Sequence, residues 1–335
     1  MTYSVGGLIQ ATDYNGFAST TSGANVNDIW STGSGDKGYG QSALSTVSAA
    51  ATVTATNWAS LVNNIAAMGN HTGTSITART APVTGDTITI LAALNTDLTN
   101  ITSNRGNAVA SGTEVGTFSG TTSKTGTTGS GTAAWTITFT HTLTFASANA
   151  ARYFFNAGGI CKLQYGKSST GTDHDPDWNT LAGQPGQIYF TGRVNSTTNT
   201  IAGQAYTGTT RLNGSGGTET TLATTTGFYN LTPGAAATTI FQLNNASAPY
   251  TPEFIRTQVA LDAGSNILTF TTVWSDDGTS AAGTTANISG GTATSSPSTT
   301  ITGTAPTTLL TYLPPSTTYL TSAAWGTPTI AAAVA

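Results

Sequence analysis

Charge is what this chain has least of. Only 7% of its 335 residues are Asp, Glu, Lys or Arg, against about 25% in an average soluble domain. Ten basic residues stand against fourteen acidic ones, with no run of Lys or Arg anywhere. Nucleic acid is bound by displacing counterions from phosphate with clustered cations, so it is excluded as a partner. Long apolar runs are missing too. No stretch approaches the roughly 20 apolar residues of a spanning helix, and Met1-Thr-Tyr-Ser-Val-Gly-Gly7 has neither the basic start nor the apolar centre of a secretory signal. Synthesis in a cytoplasm without membrane insertion is the expectation. One cysteine, Cys161, permits no internal disulfide and no multi-cysteine zinc site; lying among apolar, β-prone residues, it reads as a buried core thiol. The stretch Gly33–Gly40 lacks the Lys-Ser/Thr end of a phosphate-binding loop and the spacing of a dinucleotide fingerprint. It reads as a turn, and no cofactor is expected.

In place of charge the chain carries Thr, Ser, Gly, Asn and Ala, with 37% hydrophobic residues and a net charge of −4. Charge-driven disorder needs the opposite balance. Thr suits exposed strand faces, because its branched Cβ fits the pleat and its hydroxyl meets water. So little surface charge also gives little electrostatic protection against association, which points to assembly.

The strongest pattern lies in residues 133–165. Trp135, Ile137, Phe139, His141, Leu143 and Phe145 alternate with threonines, the period-2 signature of a strand buried on one face. The next segment, 152–165, is rich in β-prone residues around Asn156-Ala-Gly-Gly159, which predicts a hairpin turning on the paired glycines.

Taken in order, the chain divides into residues 1–110, a helix-containing attachment or assembly domain; 111–312, an antiparallel β-sandwich of jelly-roll type; and 313–335, an extended tail pinned to a neighbour. The fold class is α+β, mainly β. In the first part a helix is predicted from Asp13, as its cap, to Trp30, then a strand over 46–54. A second helix from Thr56 to Met68 carries Trp58, Leu61, Val62, Ile65 and Met68 at helical spacing and ends at Gly69. A third runs from Thr87 to Ser103 through Ile88, Leu91, Leu94, Leu98 and Ile101. Three such helices make a marginal unit that needs a partner, with Tyr14, Phe17, Ile29, Trp30, Tyr39 and Trp58 as its interface residues. In the second part strands are predicted over 115–118, 188–190, 200–202, 227–231, 239–243, 250–261, 266–274 and 309–312, with the Thr/Ser/Gly tracts 119–132 and 279–300 as long loops.

Thr172-Asp-His-Asp-Pro-Asp-Trp178 is the one concentration of carboxylates and imidazole. Asp173, Asp175 and Asp177 offer hard oxygens to a cation such as Ca²⁺, but the run lacks the Gly and terminal Glu of an EF-hand loop. A loop entering a helical turn capped by Asp175 or Asp177 accounts for it more simply. Of the three histidines, His71 follows a helix end, His141 lies on an apolar strand face, where a satisfied core histidine is the default, and His174 sits in the acidic run; the members of a catalytic triad meet in space and not in sequence. A glycan-degrading site would need two facing carboxylates among Asp173, Asp175, Asp177, Glu253, Asp262, Asp276 and Asp277. Sugar binding would draw on exposed aromatics such as Trp178, Tyr206, Tyr229 and Trp274.

Four segments carry a resemblance: Tyr3–Phe17, Asn27-Asp-Ile-Trp30 with Gly33–Gln41, Asn57-Trp-Ala-Ser-Leu61, and Arg152-Tyr-Phe-Phe-Asn-Ala-Gly-Gly159. Together they make the first half of the chain similar to virion structural proteins of tailed phages, notably phages of cyanobacteria and other marine bacteria. The resemblance implies a tail, baseplate or tail-fibre component, assembled in the host cytoplasm into the virion. Its partners would be copies of itself, for example in a trimer, other virion proteins and a host-surface glycan. It brings no catalytic residues, so a non-enzymatic role is expected, with a carbohydrate-binding module or a capsid decoration protein as the alternatives.

Overall fold

The computed structural model describes residues 10–19, 24–86, 93–108, 121–124, 135–167, 175–192, 200–201, 204–205, 207–276, 291–294 and 306–335. Its helices are α1 (Ala11–Ala18), α2 (Val26–Trp30), α3 (Ala55–Thr72), α4 (Leu94–Asn104), α5 (Ala148–Asn156) and α6 (Asp175–Gly183). Its strands are β1 (Thr121–Lys124), β2 (Trp135–Thr144), β3 (Ile160–Gly166), β4 (Gln187–Thr191), β5 (Thr200–Ile201), β6 (Gln204–Ala205), β7 (Thr209–Leu212), β8 (Thr218–Leu222), β9 (Thr238–Asn244), β10 (Phe254–Leu261), β11 (Ile267–Asp276), β12 (Gly291–Thr294), β13 (Thr307–Leu313) and β14 (Thr329–Val334). The fold is α+β and mainly β.

Two antiparallel sheets form the body. The larger has the order β14-β2-β11-β10-β9-β8 and the smaller β13-β3-β4-β7. β2 fulfils its pattern, with Ile137, Phe139, His141, Leu143 and Phe145 buried and the intervening threonines partly exposed. β11 and β10 alternate in the same way, so the larger sheet turns one apolar face inward. The smaller sheet covers it. Phe190 of β4 meets Phe270 of β11 edge-on at 5.5 Å, and Tyr165 of β3 stacks on Phe241 of β9 at 6.1 Å. Cys161 is fully buried between them, and burial pushes its thiol pKa up.

The helices dock on this body through one continuous apolar core that runs from Tyr14 and Trp58 to Phe154 and Trp274. α3 is set by its sequence. Thr54 and Asn57 form a reciprocal capping box at its start, which is worth about 1 kcal/mol, and Trp58, Leu61, Val62, Ile65 and Met68 line its buried face. It runs past Gly69 and ends at Gly73, whose backbone is left-handed.

Several expectations are corrected. The single helix over 13–30 is two, with Asp13 bonding back to Gln10 at the start of α1 and Asn25 capping α2. Residues 46–54 form no strand; the main chain there is held instead by Asn15, whose side chain exchanges two 2.8 Å hydrogen bonds with Val47. The hairpin over 152–165 is half helix. The Ser147 side chain accepts from the Ala150 amide, the alanines that follow favour helix, and only then does the chain turn at Gly158 (φ 99°) into β3. Residues 228–230 form a single 3-10 turn instead of a strand. Within the tracts expected to be loops, β1 and β12 pair with each other. The tail is pinned, but to its own chain: β14 pairs with β2 from Thr329↔Thr144 to Val334↔Phe139. Of the third helix the structure describes Leu94–Asn104, entered from a left-handed Ala93; Ile88, Leu91 and the strand expected over 115–118 lie outside the described residues.

Candidate functional site

The best-organised polar structure is the loop between α2 and residue 41. Its returning segment satisfies the end of α2, with the amides of Tyr39, Gly40 and Gln41 donating to the carbonyls of Ile29, Ser31 and Trp30 at 2.8–2.9 Å. A reversal this tight needs left-handed backbone, and Gly33 (φ 46°) and Gly38 (φ 90°) provide it. A Cβ on Gly33 would run into the Asp28 carbonyl, and one on Gly38 into that of Thr32.

Such a turn leaves carbonyls pointing outward, and α5 collects them. Arg152 Nη1 donates to the Lys37 carbonyl at 2.7 Å and Nη2 to that of Thr32 at 2.7 Å. One helical turn on, Asn156 Nδ2 donates to the carbonyls of Lys37 (2.7 Å) and Gly38 (2.9 Å). The Tyr229 hydroxyl in turn donates to Asn156 Oδ1, and burial raises the phenol's pKa, which keeps it a donor. Two ion pairs fasten the outer side: Lys37 to Asp28 at 2.7 Å, and Asp36 to Arg105. Pairs this exposed contribute at most about 1 kcal/mol each, so the fixity comes from the charge-assisted bonds of Arg152 and from Asn156.

The fixed loop is one wall of a cleft of about 800 Å³. α2 supplies Asn25, Asn27 and Asp28, and α4 supplies Thr99, Thr102 and Ser103. Asn27 is committed to the main chain of Leu44 through two bonds. Each α4 hydroxyl donates to a carbonyl four residues back, at 2.7–3.0 Å, which leaves its lone pairs to accept from the cleft.

The residues singled out by sequence lie elsewhere. Tyr14, Phe17, Ile29, Tyr39 and Trp58 are buried in the chain's own core and offer no surface, and Trp30 is half-buried with its indole N–H on the Ser42 carbonyl. Trp178 and Trp274, named as sugar platforms, are 0% exposed and stack on each other at 5.8 Å; Tyr229 is half-buried in the loop clamp, and Tyr206 is outside the described residues. Glu253 and Asp276 do come together. Phe254 pairs with Ser275, so these two carboxylates sit one step further along neighbouring strands, but both are buried and have no access to a polymeric substrate. Asp262 closes the β10–β11 turn. Desolvation pushes its pKa up, but the amides of Ile267, Asn266 and Gly264 outweigh this and hold it below the ordinary value.

In the acidic run, α6 begins at Asp175, so Asp175 and Asp177 are helical residues, Asp177 half-buried in the first turn, and Asp173, His174 and Asp277 are outside the described residues. Among the described residues no group of three His, Cys, Asp or Glu side chains is placed to hold a metal ion. His71 lies inside the last turn of α3, with Nε2 3.0 Å from the Ala157 carbonyl. His141 is 1% exposed, and burial lowers its pKa to about 4 against a backbone hydrogen bond with Thr308.

Arg152 and Asn156 escaped the sequence reading as a pair. Their spacing of four is the signal that could have found them, because it puts both on one helix face, but only once the segment is read as helix. Compared with known proteins, the chain matches no family model, no curated protein and no solved structure.

Proposed function

We propose that this chain is a non-enzymatic structural component of a tailed-phage particle, placed in the tail, baseplate or fibres and working through symmetric protein–protein contacts. The observation that carries this reading is the union of Gly33–Gln41 with Arg152–Gly159. These stretches contribute to the resemblance separately, and they meet in space as clamp and loop. A likeness of composition alone would have no reason to fall on residues that hold one another. The scarcity of charge, 7% of the chain, also suits a protein surrounded by neighbours. Its partners are then copies of itself, other virion proteins and, at the particle's tip, the host surface.

The test is gold labelling of intact particles with antibody raised against the purified chain, viewed by electron microscopy. Gold on tails or fibres is the expected result. Gold spread over the head would assign the protein to capsid decoration, and particles without gold, together with a purified chain that stays a compact monomer, would overturn the reading.

A further inference from the structure

We infer that the cleft between α2, the clamped loop and α4 is a binding site for an uncharged saccharide. The inference deepens the host-contact part of the function proposed above and rests on it for its biological setting, though its chemistry stands on the cleft alone.

At about 800 Å³ the space falls within the usual range of small-molecule sites, about 300–1,000 Å³. Its walls decide the ligand class. Among the described residues, the lining holds hydroxyls (Ser19, Thr32, Ser34, Thr99, Thr102, Ser103), amides, one carboxylate and one ammonium, and Ala24 is the only apolar side chain. A bound peptide takes most of its affinity from aromatic or aliphatic anchors in apolar pockets, and the described lining residues offer no such anchor. A phosphate-bearing ligand needs surplus cationic charge, whereas Lys37 is matched by Asp28 at 2.7 Å. What remains is a neutral molecule rich in alternating donors and acceptors. Asp28 and Lys37 are one-third exposed or less, and side by side they present an acceptor and a donor at the spacing of adjacent ring hydroxyls. On the facing wall the α4 hydroxyls have spent their protons on their own helix and therefore accept.

The loop is also fixed in advance. Arg152 and Asn156 hold its carbonyls from behind, so little conformational freedom is lost when a ligand arrives, which is the condition under which weak polar contacts yield usable affinity.

The experiment titrates the full chain with maltotriose, cellotriose and chitotriose, and with sialyllactose and inorganic phosphate as charged probes, by calorimetry and amide chemical shifts. Binding of at least one neutral trisaccharide is expected, with shifts at Asp28, Lys37 and Thr99–Ser103. Two variants locate it. Ser103→Tyr fills the cleft from an exposed helix position and leaves folding intact, and Asp28→Ala removes the acceptor; each should weaken binding at least tenfold while the circular dichroism spectrum stays unchanged. The inference is overturned if no neutral trisaccharide binds, if only the charged probes bind, if binding survives both variants, or if Ser103→Tyr does no more than dissolve a self-associated form. Failure here with gold on tails removes the cleft and leaves the structural role; saccharide binding with unlabelled particles does the reverse.

Discussion

Arg152 donates from Nη1 to the main-chain carbonyl of Lys37 at 2.7 Å, across more than a hundred residues of sequence. A guanidinium that also reaches the Thr32 carbonyl at 2.7 Å serves as a brace for a loop that has no regular structure of its own. Removing the brace should loosen the loop first and the fold second. Arg152→Ala is expected to lower stability by about 1–3 kcal/mol and to speed amide exchange at residues 35–41. Arg152→Lys should recover little, because an ammonium cannot span two carbonyls as the planar fork does. Urea melts with hydrogen exchange measure both; an unchanged exchange rate in the loop would refute the brace.

His141 makes stability depend on pH in a defined direction. Its native pKa is lowered to about 4 by burial, below an unfolded value of about 6.5. The unfolded chain therefore binds the proton more readily, and the stabilisation is complete above about pH 6.5 and drains away as the pH falls towards 4, by roughly 3 kcal/mol at most. Melts between pH 4 and 7 should show this slope, and His141→Leu should flatten it. A slope that persists unchanged in the variant would assign it to other groups.

Trp178 and Trp274 stack with their planes 17° apart in the core. Alanine at either site is expected to cost about 3–5 kcal/mol, seen as a lower denaturation midpoint. If either variant kept wild-type stability and lost only saccharide binding, the burial described for that ring would be wrong.

β14 covers the outer edge of β2. Deleting residues 329–335 should uncover a long uncharged strand edge, the usual template for intermolecular pairing. Concentration-dependent aggregation by light scattering is the expected outcome, and a deletion that remains monodisperse would show the edge to be protected by other means.

How far the sequence disclosed this molecule depends on the reach of each signal. β2 and α3 were legible because their periods of two and of three to four are written in consecutive residues, from Ile137 to Phe145 and from Trp58 to Met68. α5 was misread because Arg152-Tyr-Phe-Phe has strand-like side chains, while the deciding feature, the Ser147 cap, lies outside that run. β14 is Thr-Ile-Ala-Ala-Ala-Val, which has no strong propensity, and only the vacant edge of β2 makes it a strand. The acidic run was legible as the entry to a helix, and α6 takes in both Asp175 and Asp177, the residues read as its cap. Of the residues assigned to an interface, Tyr14, Phe17, Ile29, Tyr39 and Trp58 are buried in the chain's own core, and a sequence does not say whether the surface a side chain buries against belongs to another molecule. The cleft had no local signal at all, since its walls come from segments around residues 28, 37 and 102 and its brace from 152.

The pairing of β14 with β2 also sets a timetable. About 195 positions separate Phe139 from Val334, so a ribosome working at about 5–20 residues per second needs roughly 10–40 s between delivering one and the other. Throughout that interval β2 has no final neighbour on that side. In a cell making many copies at once, adjacent nascent chains would meet with these edges open, and the yield of folded protein would depend on how crowded and how warm the cell is.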